Sequence, residues 1–382
     1  MSGAAPLADH RVHGMGTGLE APVWPAITAP EAEAILARFP GAGRLVGLRW
    51  HSPRPFSAAT LLQTSRGEFL LKRHHQRLRS PASLAQEHGF IAHLRAAGLP
   101  VPEIMLSAER AGVIARGDWT YELHRKSPGI DLYRDRISWT PFLSHDHARA
   151  AGAALARLHL AARAFAAPAR APQPLVASLT ILPAPDPLAA ADAYVAARPA
   201  VGAWLADRPW RQALGRLFAA LGEGLSRRLA GEPSLWTHND WHPSNLLWTG
   251  DGEVCSIIDF GLATRTCALH DLATAIERTA FEWLRLGEGE DAAIADPAAA
   301  IALLAGYRSV VPLGAEAIET VARLLPLVHV EFALSEIDYF AGIVAEPDHA
   351  ALAWDGYLIG HAEWFLSARG RDFQARLLGA AA

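Results

Sequence analysis

The chain has 382 residues, 51% of them hydrophobic and 19% charged, which predicts a compact globular protein large enough for two lobes and excludes a disordered one. The net charge of −4, with no cluster of basic residues, argues against a nucleic-acid partner, and the two cysteines cannot form a disulfide framework. No apolar run reaches the roughly 18 residues that a membrane span needs, so we expect no membrane partner and a cytoplasmic location.

The N-terminal third is predicted to form a small antiparallel sheet preceded by a helix. Residues 1–25 are rich in glycine, alanine and proline and are expected to be a flexible arm. Thr28 followed three residues later by Glu31 is a capping box, which predicts the start of a short helix. Alternating apolar residues and an intervening turn then predict strands at residues 45–50, 58–64 and 68–73.

A lysine and a glutamate stand out in this region. Lys72 ends an apolar strand, where its point charge could hold phosphate oxygens. The next predicted helix has Ser80 as its N-cap and ends at Gly98, and Glu87 falls on its apolar face. A carboxylate facing inward needs a partner, so we predict that Glu87 pairs with Lys72. The alternative is a slightly rotated helix with a solvated Glu87.

We expect residues 26–125 to form one lobe and residues 126–382 to form a second, helical lobe. The first long amphipathic pattern of the second part, residues 147–165, predicts a helix that contains His159. We interpret His159 as a structural hydrogen-bonding residue.

The most informative segment is residues 236–264. Asp240 is followed five positions later by Asn245, and Asp259 then begins an Asp-Phe-Gly sequence. Between them lie two short apolar runs separated by Thr-Gly-Asp-Gly, which predicts a hairpin that folds Asp259 back beside Asn245. A carboxylate and an amide oxygen presented side by side suit Mg²⁺. This arrangement is typical of kinases, in which the first Asp handles the acceptor hydroxyl.

Two other interpretations of this segment are open. His238, Asp240 and His242 alternate and could form a zinc site, although that would leave Asn245 and Asp259 unexplained. The chain could also be a kinase-shaped nucleotide-binding scaffold that has lost catalysis. The presence of all three polar residues of the motif argues against that loss.

Residues 238–245 read His-Asn-Asp-Trp-His-Pro-Ser-Asn. They resemble the loop H-[GN]-D-x-H-x-x-N of the aminoglycoside phosphotransferase and choline kinase superfamily, and the resemblance extends over about residues 45–276. It implies an α+β, two-lobed protein-kinase-like fold, with a small antiparallel-sheet N-lobe and a larger, mainly helical C-lobe. Residues 26–125 would then be the nucleotide-binding N-lobe, and residues 126–382 would be the C-lobe that carries the catalytic loop, the Asp-Phe-Gly sequence and the acceptor pocket. It also implies ATP as co-substrate and Mg²⁺ as cofactor.

The resemblance implies a role for each matching residue. Asp240 is the expected catalytic residue, and Asp271 is expected to cap the helix after the Asp-Phe-Gly sequence and to brace the catalytic loop. The remaining expected site residues are those of the nucleotide and metal site, Lys72, Glu87, Asn245 and Asp259, and two further supports of the site, His238 and His242.

The expected activity is transfer of the γ-phosphoryl group of ATP to a hydroxyl of a small molecule, such as an amino alcohol, a homoserine-like or choline-like compound or a sugar. The alternative is a bacterial protein serine/threonine kinase of the same superfamily. Aminoglycosides are less favoured acceptors because these polycations have no dense acidic run to bind here. Four C-terminal residues either line an acceptor pocket or form a solvated helix face: Glu331, Glu336, Asp338 and Tyr339.

Overall fold

The computed structural model describes residues 10–289 and 293–380. The described chain divides into two compact units. The first comprises the residues up to Gly129 together with Ser256–Ile258, and the second comprises Ile130–Cys255 and the residues from Asp259 onward. Within the described residues, every helix is too short or too polar to cross a membrane.

The segment expected to be a flexible arm contains a hairpin in its described part. Strands β1 (Val12–His13) and β2 (Leu19–Glu20) pair antiparallel, and the side chain of Val12 is buried. Residues 1–9 of that segment lie outside the described residues.

The first unit contains an antiparallel sheet of six strands. The strand order is β3-β4-β5-β8-β6, and β7 also pairs with β8. The three predicted strands are confirmed. The strands are β3 (Leu45–His51), β4 (Ala58–Thr64), β5 (Gly67–His75), β6 (Glu103–Ile104), β7 (Val113–Arg116) and β8 (Trp119–Arg125).

Two helices accompany this sheet, and both begin where the sequence predicts. Helix α1 (Ala29–Leu36) starts with the Thr28 capping box, and α2 (Pro81–Ala96) starts with Ser80 as its N-cap. Side chains alternate between the two faces of a strand. In β5 and β8 one face therefore enters the apolar core with α1, and the opposite face carries polar residues. The core residues of these strands are Phe69, Leu71, Tyr121 and Leu123.

The second unit is mainly helical, as predicted. Its helices are α3 (His145–Ala162), α4 (Pro187–Ala196), α5 (Pro199–Leu205), α6 (Trp210–Leu221), α7 (Leu225–Ala230), α8 (Ala268–Thr279), α9 (Pro297–Arg308), α10 (Ala315–Leu324), α11 (Val330–Tyr339), α12 (Pro347–Ala351), α13 (His361–Trp364) and α14 (Ala368–Gly379). Two π-helical stretches, Phe340–Val344 and Leu352–Gly360, flank α12. Strand β9 (Ser234–Thr237) pairs antiparallel with β12 (Thr264–Cys267), and β10 (Leu246–Trp248) forms the predicted hairpin with β11 (Val254–Ile257).

Helices α3 and α9 cross at very short range. A Cβ atom at Gly152 would collide with the carbonyl oxygen of Leu303, and one at Gly306 would collide with that of Arg149. Glycine is therefore required at both positions, because it lets the two backbones touch. The crossing brings His159, near the end of α3, against Tyr307 of α9.

Candidate functional site

A buried carboxylate holds the loop between β9 and β10 from behind. Asp271 accepts hydrogen bonds from the backbone N–H groups of His238, at 2.9 Å, and Asn239, at 2.8 Å. Its Oδ2 also lies 3.0 Å from Nε2 of His159, whose Nδ1 lies 2.8 Å from the hydroxyl of Tyr307. Burial disfavours the carboxylate, but His159 and the loop outweigh it, so the pKa of Asp271 lies below its ordinary value. The structural role predicted for His159 is confirmed.

Asp271 does not cap helix α8, and that part of the expectation was wrong. The helix begins at Ala268 with Cys267 in the N-cap position, so Asp271 already lies within the first turn. Its oxygen atoms face the catalytic loop. Bracing this loop is therefore the role that the structure shows for Asp271.

Asn239 adopts a left-handed backbone conformation, with φ at +61°. Glycine and asparagine enter this region more readily than other residues, which explains why either of them suits the second position of the loop motif. The Asn239 side-chain oxygen accepts hydrogen bonds from the hydroxyls of Thr237 and Thr266, at 3.0 and 3.1 Å. The turn that precedes Asp240 is thus fixed by hydrogen bonds on both its backbone and its side chain.

Asp240 and Asn245 contact each other directly. The Asn245 Nδ2 donates to the backbone oxygen of Asp240 at 2.9 Å and to its Oδ2 at 3.0 Å. Asn245 ends a single 3₁₀ turn that places it beside Asp240. Because the amide nitrogen is used in this way, the amide oxygen is the Asn245 atom that could reach a cation.

Arg278 binds the other oxygen of Asp240, and the sequence analysis missed it. Its guanidinium is buried, pairs with Asp240 Oδ1, and lies 4.7 Å from the ring centre of Trp139 and 4.8 Å from that of Phe332. Burial disfavours the Asp240 carboxylate, but Arg278 outweighs it and holds the pKa of Asp240 well below its ordinary value. Arg278 follows Asp271 by seven residues on α8, so both face the loop across two helical turns. This seven-residue spacing is the sequence feature from which the role of Arg278 could have been predicted.

The two histidines of the loop play different parts. The backbone N–H of Asp240 donates to His238 Nδ1 at 3.2 Å, and the His238 ring packs on Phe260 at 4.8 Å between centroids. His242 Nε2 lies 3.5 Å from Asp240 Oδ1, while its Nδ1 lies 3.0 Å from the hydroxyl of Ser244. Among the described residues, the ligand atoms of His238, Asp240 and His242 do not all lie close enough together to share one ion, which argues against the zinc interpretation.

Asp259 follows the β10–β11 hairpin directly and adopts a left-handed conformation, with φ at +60°. The backbone N–H of Gly261 lies 3.4 Å from its Oδ1. Asp259 supplies a carboxylate and Asn245 an amide oxygen, and their predicted placement on one cation stays a prediction. This hard-oxygen donor set fits Mg²⁺ and does not favour a soft metal.

In the first unit, Lys72 faces a carboxylate that the sequence analysis did not identify. Its Nζ lies 3.8 Å from Oε1 of Glu122, the residue directly opposite on the neighbouring strand. Glu122 is fully buried and also contacts three imidazoles through Nε2: His74 at 3.0 Å, His88 at 2.7 Å and His124 at 2.8 Å. Burial disfavours the charge, but the histidines outweigh it, so the pKa of Glu122 lies well below its ordinary value.

Glu87 is buried on α2, with only 2% of its surface exposed, so the alternative of a solvated Glu87 is wrong. Its pairing with Lys72 stays a prediction. The position of Glu122 could have been predicted from the alternation of core and non-core side chains along β8. Tyr121 and Leu123 enter the core, so Glu122 must lie on the face that carries Lys72.

The acidic residues of α11 do not form a solvated face. Glu331 accepts backbone hydrogen bonds from Thr180 and Ile181, both at 2.6 Å, and so anchors the loop before α4. Glu336 and Tyr339 are also buried. Asp338 Oδ2 lies 4.0 Å from Nε of Arg198. The solvated-face interpretation was therefore wrong.

A model of the Phosphotransferase enzyme family matches residues 56–313, more than half of the chain. Three solved structures are similar in fold. A microcompartment-associated aminopropanol kinase is 19% identical over 92% of this chain and 100% of that one, with a TM-score of 0.60. The amicoumacin kinase hAmiN, solved with AMP-PNP and Ca²⁺, is 16% identical over 92% and 93%, with a TM-score of 0.57. An aminoglycoside phosphotransferase from Alicyclobacillus acidocaldarius is 18% identical over 92% and 98%, with a TM-score of 0.50.

No curated protein sequence matches the chain. The structural similarities confirm the predicted α+β, protein-kinase-like fold, with a small antiparallel sheet and a larger helical part.

Proposed function

Because the chain belongs to the phosphotransferase enzyme family and is therefore a kinase, we propose that it transfers the γ-phosphoryl group of ATP to a hydroxyl group of a small molecule. The observation that carries this proposal is the environment of Asp240. One of its carboxylate oxygens is held by Asn245 and the other by Arg278, on a loop that Asp271 fixes from behind. A carboxylate oriented so firmly can receive the acceptor hydroxyl in one defined geometry.

Asp240 acts mainly by orientation. Its pKa lies well below the ordinary value, so it stays ionised and is a weak base. A weak base can accept a hydrogen bond from the acceptor hydroxyl during the whole reaction and take its proton only late in the transfer step. This behaviour suits the loose transition state of phosphoryl transfer. Placing two reactants in line is by itself a large contribution to the rate.

Other residues would bind the nucleotide and its cation. Asn245, through its amide oxygen, and Asp259, through its carboxylate, would hold a divalent cation, for which Mg²⁺ fits the donor set. When bound, such a cation neutralises charge on the phosphate oxygens. Lys72 would hold the phosphates by its point charge, while Glu122 and the predicted partner Glu87 keep its ammonium group in place.

The acceptor class is a small molecule with a free hydroxyl, and an amino alcohol is the first candidate. Kinases of this fold are named for aminopropanol and for amicoumacin, which supports the small-molecule class. A sugar, a homoserine-like or a choline-like acceptor belongs to the same proposal.

The test is an acceptor panel with γ-labelled ATP, covering amino alcohols, amino acids with side-chain hydroxyls, sugars, aminoglycosides and a generic protein. We expect label to appear in a small molecule and the Asp240→Asn variant to lose transfer by a factor on the order of 100 or more, with nucleotide binding retained. Label that enters only the protein substrate would favour the serine/threonine kinase alternative. Unchanged turnover in Asp240→Asn would remove Asp240 from the mechanism.

A further inference from the structure

A second group of ionisable side chains lies buried in the second unit, at the C-terminal end of α8 and the starts of α11 and α13. Glu277 Oε1 lies 2.9 Å from Nδ1 of His361 and 3.6 Å from Nδ1 of His329. All three residues are buried. One ligand-type atom from each lies within 4.8 Å of the other two.

Several atoms of this group have no hydrogen-bond partner among the described residues: Nε2 of His329, Nε2 of His361 and both carboxylate oxygens of Glu336. The Glu336 side chain has no exposed surface, and its nearer oxygen lies 3.7 Å from His329 Nε2. A buried polar atom without a hydrogen-bond partner destabilises the folded protein. The described protein atoms therefore leave several polar atoms of this group without a hydrogen-bond partner or ligand.

The two carboxylates of the group could also balance the charge of a divalent cation. Glu277 and Glu336 are two buried carboxylates, and the adjacent guanidinium of Arg278 already pairs with Asp240. If both carboxylates are ionised and the imidazoles are neutral, the group carries two excess negative charges, and a proton on His329 and a second proton on Glu336 would be needed to balance them. A divalent cation would balance both, and buried charge is costly when it is not balanced.

There is also space for a small ligand. A cavity of about 20 Å³ is lined by Glu277, His329, Arg278, Phe332 and other residues. This volume accommodates one water-sized species. An ion among the three side chains could therefore keep one water as a further ligand.

We propose that Glu277, His329 and His361 bind a structural Zn²⁺ ion. Two imidazole nitrogens and a carboxylate oxygen, completed by one water, are a ligand set that zinc accepts. Glu336 lies where a carboxylate commonly stands behind a metal-bound histidine, ready to accept from the second ring N–H of His329. This nitrogen-rich set differs from the all-oxygen set of Asn245 and Asp259, so the two sites select different metals.

A zinc ion at this position would also stabilise the packing of three helices. Glu277 immediately precedes Arg278 on α8, and the two histidines belong to the beginnings of α11 and α13. Zinc would tie these three elements together, and it would hold the end of α8 so that Arg278 stays on Asp240.

The test is the metal content of the full-length protein, purified without a histidine tag, incubated with Zn²⁺ and freed of excess metal by gel filtration. We expect about one zinc per chain, and visible d–d absorption bands when Co²⁺ replaces it, as four-coordinate sites give. The His361→Ala variant should lose the bound zinc. The matched control His349→Ala, on α12 of the same unit, should keep it. Glu336→Gln should weaken zinc affinity roughly 10- to 100-fold.

Wild-type protein that binds no zinc overturns the proposal, whatever the variants do. Zinc retained by a folded His361→Ala variant also overturns it, because the ion would then lie elsewhere, for example at His88, Glu122 and His124. If His361→Ala does not fold, the wild-type zinc content and the Glu336→Gln affinity decide the matter. None of these measurements uses phosphoryl transfer, so they are independent of the proposed acceptor.

Discussion

Replacing Asp271 by Asn tests the brace behind the catalytic loop while keeping the volume of the side chain. In the wild type, Asp271 Oδ1 accepts from the Asn239 N–H, and Oδ2 accepts from the His238 N–H and contacts His159 Nε2. An asparagine has only one acceptor oxygen. In either orientation its NH₂ group must face at least one backbone N–H of the loop, so a buried donor loses its partner.

The expected magnitude follows from that lost bond. A buried donor left without an acceptor costs about 1–3 kcal/mol, and the loss is larger when the acceptor was charged. We therefore expect Asp271→Asn to lower the free energy of unfolding by about 3 kcal/mol. A shift of Asp240 by about 1 Å would lower kcat on the order of 100-fold. The KM for ATP should change little, because Asp271 touches neither Lys72 nor Asp259 among the contacts described.

The assay combines urea unfolding with steady-state kinetics on the acceptor identified in the panel. Asp372→Asn is the matched control, because this carboxylate is 60% exposed and pairs with Arg376 on its own helix. His159→Phe removes one of the three donors to Asp271 and should lower kcat less than Asp271→Asn does. Unchanged stability and kcat in Asp271→Asn would refute the brace. A raised KM for ATP with an unchanged kcat would assign Asp271 to the nucleotide site instead.

Four further perturbations test other parts of the molecule. Asp259→Ala should raise the Mg²⁺ concentration needed for nucleotide binding, and a titration identical to wild type would place the metal elsewhere. Lys72→Ala should weaken ATP binding. If Lys72 and Glu87 form one ion pair, the Lys72→Ala/Glu87→Ala double variant should bind ATP as weakly as Lys72→Ala alone, whereas additive losses of affinity would show that the two residues act independently. Arg278→Met should lower the free energy of unfolding, measured in urea, by about 3–5 kcal/mol, because the buried Asp240 carboxylate loses its counter-charge. An unchanged free energy of unfolding would show that stability does not depend on this ion pair. Burial lowers the pKa of His270 to about 4. The unfolded chain therefore takes up this proton first as the pH falls below about 6.5, and wild type should lose about 2 kcal/mol more stability than His270→Gln between about pH 7.5 and 5.

The parts of the site that the sequence predicted are those determined by neighbouring residues. Asn245 lies five residues after Asp240, and the hairpin that leads to Asp259 is fixed by its turn and by two short apolar runs. Turn chemistry and strand alternation act over a few residues and can be read locally. Thr28 and Ser80 were found as helix caps for the same reason.

The partners of the charged groups depend on tertiary packing, and the sequence analysis missed two of them. Arg278 reaches Asp240 across 38 residues of chain, and Glu122 reaches Lys72 across 50. Spacing on α8 and alternation in β8 limit the candidates, because they define which face each residue occupies. They do not define which element packs against that face. Pairing between distant elements is therefore where a single sequence stops being informative.

The glycine crossing of α3 and α9 has a consequence for how this enzyme can change. Gly306 precedes Tyr307, whose hydroxyl meets His159, which in turn meets the carboxylate behind the catalytic loop. A single methyl group at Gly306 would push the two helices apart and loosen that chain of contacts at its far end. Such a variant would behave in an assay like a catalytic mutant, although the contact that it disturbs is a helix crossing and involves none of the proposed catalytic residues. In a search for variants with new acceptors, both glycines belong among the positions to leave untouched.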